Sequence, residues 1–367
     1  MVDPAPTLHN DQSLLTVGVE EEYVVVDPAT GTPVPGNSAV AAAGRALDAD
    51  LQLKLSQCQI ETATPVCTGT TKLRTELCLA RGRAAAAATE AGARLLATGV
   101  PPLGPAPRTI TDRPRYRHLA EHFGLLGYQV ICGCLRDRDL AASVSNHLRP
   151  WLPTLLALTA NSPIVGGEDT GYASWRHVLW ARWPSAGPPP VFDSADHYDT
   201  VVAELLAQQA ILDSAMIYWD VRLSAVEVRI ADVPATVEET VLLATPIRGL
   251  VSTAITDVRL GRTTAPASGH RLKAAYWRAA RDGIGGHAVD VRSGRLVVAT
   301  EPIRRLLEHV RPLSNAPATT ATPSRRCGPS SPSGTAPSVS AAPSPRTPSG
   351  NLSTCSPAAP SVAASQD

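Results

Sequence analysis

The sequence has 367 residues, with 33 lysines and arginines balanced by 33 aspartates and glutamates and 44% apolar side chains. Zero formal net charge leaves no field to draw nucleic acid or an anionic membrane, and the length suits one large domain or two ordinary ones with ample chain to bury a core. Met1-Val2-Asp3-Pro4 carries neither a basic region nor an apolar stretch, and no run approaches spanning length, so a cytoplasmic protein with neither membrane nor nucleic-acid partners is expected. Cys58, Cys67, Cys78, Cys132, Cys134, Cys327 and Cys355 form an odd, scattered set that reads as reduced thiols, and Cys132-Gly133-Cys134 has no second pair at zinc-like spacing.

Three strands carry the chemistry. In Val17-Gly18-Val19-Glu20-Glu21-Glu22-Tyr23-Val24-Val25-Val26 three carboxylates lie in a β-branched run that ends at Asp27-Pro28. Strand alternation puts Glu20 and Glu22 on one face and Glu21 on the other. Two carboxylates facing a core repel each other and resist desolvation unless a positive partner intervenes. A divalent cation with oxygen ligands, such as Mg²⁺ carried by a nucleotide phosphate, fills that need; a solvated edge strand is the alternative. Ser56-Gln57-Cys58-Gln59-Ile60-Glu61-Thr62-Ala63-Thr64 alternates up to Pro65, and Trp219-Asp220-Val221-Arg222 leads into Glu227-Val228-Arg229-Ile230-Ala231-Asp232. Glu227 and Arg229, two apart, share a strand face, and carboxylates beside an arginine suit ATP-dependent group transfer. No glycine-rich phosphate loop is present, so sheet, arginine and metal are expected to hold ATP.

Helices are predicted between these strands. Residues 71–98 form a long alanine-rich helix with Leu73, Leu77 and Leu95 inward and its arginines in solvent. Residues 140–160 are helical with breaks at Pro150 and Pro153, and a helix follows over 199–212. Thr236-Val237-Glu238-Glu239 is a capping box opening a helix toward residue 257, and residues 270–282 form a helix stopped by Gly283. A hairpin over 289–298 and a helix over 301–310 close the fold. His118, His122, His147, His177, His197 and His287 lack ligand spacing and are expected at the surface or in packing, and Asp220 and Asp232 at strand ends. From residue 314 the chain turns to Pro, Ser, Ala and Thr without periodicity, which predicts a catalytic domain over 1–313 and a disordered tail over 314–367.

Several motifs together resemble the carboxylate–amine ligases of the glutamate–cysteine ligase type 2 family. They are Gly18-Val19-Glu20-Glu21-Glu22-Tyr23, Gln59-Ile60-Glu61-Thr62-Ala63-Thr64-Pro65, Thr170-Gly171-Tyr172-Ala173-Ser174-Trp175-Arg176, Arg182-Trp183-Pro184, Tyr218-Trp219-Asp220-Val221-Arg222 and Glu227-Val228-Arg229-Ile230-Ala231-Asp232. The resemblance covers residues 14–311 and implies an α+β fold, a glutamine-synthetase-like, curved and mainly antiparallel sheet with helices on its outer face. It also implies that ATP phosphorylates a glutamate-like acid and that a cysteine-like amine displaces phosphate, giving γ-glutamylcysteine, ADP and phosphate. By motif match Glu20, Glu22, Glu61 and Glu227 are expected to hold Mg²⁺ or Mn²⁺. Arg229 is expected to hold ATP phosphate or substrate carboxylate, as catalytic and cofactor-binding residue, with Arg176 and Arg182 as further cofactor- or carboxylate-binding arginines or as loop-ordering ion pairs. The partners are then small molecules, and a homo-oligomer is compatible with the pattern.

The chain departs from the family pattern twice. No histidine follows Cys132-Gly133-Cys134, where the family places two, and Leu223-Ser224-Ala225 is a shortened join between strands. Weakened catalysis is the expected consequence. Two other classes therefore stand beside the ligase: a catalytically impaired relative that still binds nucleotide or glutamate, and a metal-dependent hydrolase using the same carboxylates.

Overall fold

The computed structural model describes residues 15–104, 109–123, 130–133, 137–223, 226–264 and 267–310. The expected tail lies outside them, as do residues 134–136 and 224–225 at the two departures from the family pattern.

The thirteen strands among the described residues begin with β1 (Gly18–Val26), β2 (Gln52–Leu53), β3 (Gln59–Ala63), β4 (Arg94–Leu96) and β5 (Val130–Gly133). Short strands β6 (Ile164–Val165), β7 (Glu168–Asp169), β8 (Ala186–Gly187) and β9 (Tyr218–Trp219) precede β10 (Val221–Arg222), β11 (Glu227–Ala231), β12 (His287–Val289) and β13 (Leu296–Val298). The helices are α1 (Asn37–Arg45), α2 (Thr70–Glu90), α3 (Pro114–Phe123), α4 (Arg138–Leu148), α5 (Leu152–Thr159), α6 (Trp175–Trp180), α7 (Ala195–Ala207), α8 (Val237–Arg259), α9 (Gly269–Asp282) and α10 (Thr300–Val310).

One seven-stranded sheet organises the molecule, in the order β10-β11-β5-β1-β3-β2 with β4 also paired to β1. Every pairing in it is antiparallel. Along one edge β1 meets β5 through Gly18–Glu21 and then β4 through Val24–Val26, while its other edge meets β3. With both edges paired and Tyr23 to Val26 fully buried, the β-branched run sits where its side chains pack on both faces. The α+β class expected from the sequence is the class observed.

Helices α2 and α8 lie on the face to which Glu21 points, since Arg81 and Thr240 reach its carboxylate. The capping box at the start of α8 forms as expected: the Glu239 amide donates to the Thr236 hydroxyl and the Thr236 amide to the Glu239 carboxylate. This 23-residue helix is long and apolar enough to cross a membrane, contrary to the expectation that no run approaches that length. Half of its apolar window is buried, and the helix, with Pro246 buried inside it, packs on α2, α4, α5 and α10.

The long alanine-rich helix is shorter than expected. It stops at Glu90 because Gly92 takes φ +70°, a left-handed conformation that an L side chain adopts only with strain, and this turns the chain into β4. Leu95 therefore belongs to the sheet rather than to the helix's apolar face. The helix's arginines are not all in solvent either, because Arg81 is 2% exposed. Elsewhere the expected helices and the hairpin appear with shifted ends; a 3₁₀ turn containing Pro150 separates α4 from α5, whereas Pro153 sits in the first turn of α5 and does not break it.

Candidate active site

Strand alternation sorts the three glutamates of β1 as the sequence predicts. Glu21, fully buried, receives Arg81 in a two-pronged ion pair at 2.6 and 2.9 Å and hydroxyl donations from Thr240 at 2.7 Å and Tyr23 at 2.5 Å. Burial would push its carboxyl up, but the Arg81 guanidinium and these donors hold it below the usual range. Glu20 and Glu22 face the other way, into a cleft of ≈ 250 Å³.

The cleft is assembled from residues far apart in sequence. The sheet supplies Glu20, Glu22, Gln59, Arg222, Glu227 and Arg229. Lys54 and Leu55 follow edge strand β2; α3 adds Arg115, Tyr116 and Leu119, and Trp180, Ala215 and Tyr218 complete the lining. Arg115 is held in place by a bidentate pair with Asp213 at 2.7 and 2.9 Å.

Register explains the acidic side of this cleft. Glu22 and Glu61 are directly opposed on β1 and β3, an arrangement that repels. The Lys54 ammonium lies between them, 2.7 Å from Glu61 and 3.2 Å from Glu22, while Gln59 donates to Glu22 at 3.0 Å. Burial still pushes the Glu61 carboxyl up to about 7, with Glu22 adding to the rise and Lys54 opposing it. Burial alone would pull the Lys54 ammonium down, but the two carboxylates outweigh it and raise its pKa.

On the other side, Glu227 accepts from Arg229 at 2.9 Å and from Arg222 at 3.1 and 3.2 Å, so three charges form one network. Glu20 stands between the two groups. Its carboxylate makes no hydrogen bond or ion pair among the described residues, and burial, with Glu227 and Glu22 nearby, raises its pKa against the pull of Lys54.

The structure thus brings Glu20, Glu22, Glu61, Glu227 and Arg229 to one face of the sheet, although Glu61 sits behind Lys54 and does not line the cleft. It does not bring Arg176 or Arg182 there. Arg182 is exposed in the turn after α6. Arg176 is 1% exposed, stacks over the Trp180 ring at 4.6 Å and donates to the backbone carbonyls of Ile230 and Arg229 at 3.2 Å each. It braces the strand that carries Arg229 rather than facing a ligand.

Asp232, expected at a strand end, is a buried hub. It accepts from the Ser162 hydroxyl at 2.7 Å, the Ser174 hydroxyl at 2.9 Å and the Asn161 amide at 2.9 Å. Gly99 packs so closely that a Cβ there would lie 2.7 Å from the Asp232 carboxyl carbon. Asp220 is likewise buried, accepting from the Tyr276 hydroxyl at 2.8 Å, and burial pushes it up to about 6.

Sequence reasoning missed Lys54, Arg115, Arg222 and Tyr218 as cleft residues. Their spacing relative to the acidic strands carried no period to mark them. The one available signal was Lys54 itself, the lone cation between Asp50 and the alternating strand.

A metal ion expected at the four glutamates finds their oxygens unequally available. Lys54 already bridges Glu22 and Glu61, and two guanidinium groups hold Glu227. Among the described residues no three His, Cys, Asp or Glu side chains converge as a metal cage. The residues do not fit a divalent ion bridging Glu22 and Glu61; Glu20 alone offers an unshared carboxylate.

The same fold occurs in solved ligases. The chain matches a bifunctional glutathione synthetase from Pasteurella multocida with TM-score 0.58 at 15% identity, covering 81% of this chain and 45% of that one. It matches a glutamate–cysteine ligase from Francisella tularensis, solved in complex with AMP, with TM-score 0.56 at 11% identity, covering 81% and 78%. These likenesses show that the chain shares its fold with those two enzymes. The chain belongs to glutamate–cysteine ligase family 2, whose family model matches residues 16–322. Relatives provisionally named glutamate–cysteine ligase 2-2 from Mycolicibacterium vanbaalenii and 2-3 from Mycolicibacterium smegmatis are 53% and 51% identical. These alignments cover 82% and 81% of this chain and 85% and 84% of the relatives.

Proposed function

We propose that the protein is an ATP-dependent ligase that joins L-glutamate, through its γ-carboxylate, to the amine of L-cysteine, forming γ-glutamylcysteine, ADP and phosphate. The observation that carries this reading is the cleft in which an unshared carboxylate, Glu20, faces the Glu227–Arg222–Arg229 network in a member of this family. A carboxylate is a poor acyl donor until its oxygen is phosphorylated. The amine nitrogen then attacks the carbonyl carbon of the acyl-phosphate and the C–O bond to phosphate breaks.

MgATP enters as a substrate, its ion neutralising the phosphates so that one anion can approach another. Arg229, fixed by Glu227 on one side and by its own strand's brace on the other, presents a guanidinium to the transferred phosphate. Glu20, with its unshared carboxylate, would be the residue to meet an ion carried by ATP. Tyr218 and Trp180, in edge-on contact at 5.1 Å, supply an apolar wall that limits water at the acyl-phosphate. No histidine lines the cleft among the described residues, and slow turnover is the corresponding expectation.

Incubation of the purified protein with MgATP, glutamate and cysteine tests this reading, with ADP and dipeptide followed together. ADP release that needs both amino acids supports the ligase. Nucleotide binding without turnover supports an impaired relative, a reading favoured by Lys54 lying between two of the expected metal ligands. Phosphoester hydrolysis without ATP supports a hydrolase.

A further inference from the structure

We propose that Lys54 is the resident cation of the Glu22–Glu61 pair, its ammonium filling the place between these carboxylates that would otherwise take a divalent metal ion. Three observations carry this assignment. Antiparallel register sets Glu22 and Glu61 directly opposite each other on one face, so their oxygens converge. Edge strand β2 pairs Gln52 with Glu61 and Leu53 with Ile60, which delivers the next side chain, Lys54, over the pair at 2.7 and 3.2 Å. The Lys54 side chain is 26% exposed and lines the cleft, whereas the carboxylates beneath it are 4% and 8% exposed, so the ammonium covers them from solvent.

An ammonium and a divalent ion compete for the same oxygens. Mg²⁺ and Mn²⁺ need carboxylate oxygens about 2.0–2.2 Å away in a near-octahedral set, and an ammonium already hydrogen-bonded to both carboxylates excludes that geometry. A lysine is tethered to the chain, so one of the pair's two negative charges stays countered whether or not nucleotide is bound. Divalent ions are thereby confined to the Glu20 side of the cleft. The inference does not rest on the ligase reading, because it concerns metal binding without nucleotide or amino-acid substrate.

Mn²⁺ titration of the nucleotide-free protein, followed by the electron paramagnetic resonance signal of free Mn²⁺, tests it. The parent and Glu61→Gln are expected to bind Mn²⁺ alike, within about twofold, because Lys54 rather than metal holds Glu61. Lys54→Gln is expected to gain a Mn²⁺ site or to tighten binding at least tenfold, a gain that the Lys54→Gln/Glu61→Gln double variant loses. A tenfold loss in Glu61→Gln, or a folded Lys54→Gln with unchanged affinity and stoichiometry, overturns the assignment. A Lys54→Gln chain that folds only with Mn²⁺ present upholds it. If that variant folds in neither condition, the Glu61→Gln comparison decides alone.

Discussion

Glu21 and Glu22 are neighbours on one strand, 0% and 3% exposed, yet the two faces of the sheet treat them in opposite ways. On the helix face Glu21 accepts from a guanidinium and two hydroxyls, and no second carboxylate competes for them in these hydrogen bonds. On the cleft face Glu22 shares one ammonium with Glu61, and Glu20 beside it has no partner among the described residues. A fully satisfied buried charge locks two elements together; an incompletely neutralised group of charges stores unfavourable energy that a ligand can relieve. The difference marks the first face as architecture and the second as the place where chemistry is held.

The largest test of this contrast lies on the architectural face. Arg81→Ala leaves Glu21 charged and buried without its partner, and the expected cost is about 3–5 kcal/mol of stability, measured by urea unfolding. A loss under about 1 kcal/mol would show that Glu21 is not held as a buried charge.

Smaller in stability but decisive for function, Glu227→Gln and Arg229→Ala act on the cleft. Each removes charged hydrogen bonds worth about 1.5–3 kcal/mol, so MgATP affinity measured by calorimetry is expected to fall roughly ten- to a hundredfold while urea midpoints move little. Unchanged affinity in both variants would remove the phosphate from this end of the cleft.

Next comes pH dependence at Glu61. Its carboxyl is raised to about 7 in the fold, so the native state binds a proton more readily than the unfolded chain. The stability it contributes is present below about pH 4 and is lost as pH rises through 7. Glu61→Gln is expected to flatten that decline by about 1–2 kcal/mol when unfolding is followed from pH 4.5 to 8, the figure being reduced for the coupling to Glu22 and Lys54. A parent whose stability rises over this range, with no change in the variant, would contradict the frustrated pair.

The smallest expected effect is at Arg182. Exposed and outside the cleft lining, it is expected on Arg182→Ala to shift stability by under about 0.5 kcal/mol and MgATP affinity not at all. A tenfold loss of affinity would bring its turn into the site.

Much of this molecule was legible before any coordinates. The β-branched run of β1, the alternation that separates Glu21 from Glu20 and Glu22, the capping box at Thr236 and the Glu227–Arg229 spacing are local periodicities, and local periodicity is written in consecutive residues. The early stop of α2 at Glu90 was legible in principle, since Gly92 marks it, but the alanine run on its N-terminal side outweighed one glycine. What could not be read was partnership. Arg81 lies 60 residues from Glu21, and its helix looked solvated because a buried arginine and an exposed one have the same local pattern. Arg176 carries a ligand-binding residue type and a family-like motif, yet the fold turns it inward to grip the carbonyls behind Arg229.

By itself, then, the sequence determined which residues alternate, where helices are capped, and that three acidic strands would have to reconcile their charges. Only the tertiary structure decided with whom. Side-chain direction follows from the two-residue period of a strand, which each strand sets alone. The identity of a counter-charge depends on register between strands and on which helix covers which face. Lys54 meets Glu22 and Glu61 because β2 pairs with β3 and β3 with β1, a relation among three segments that none of them encodes separately.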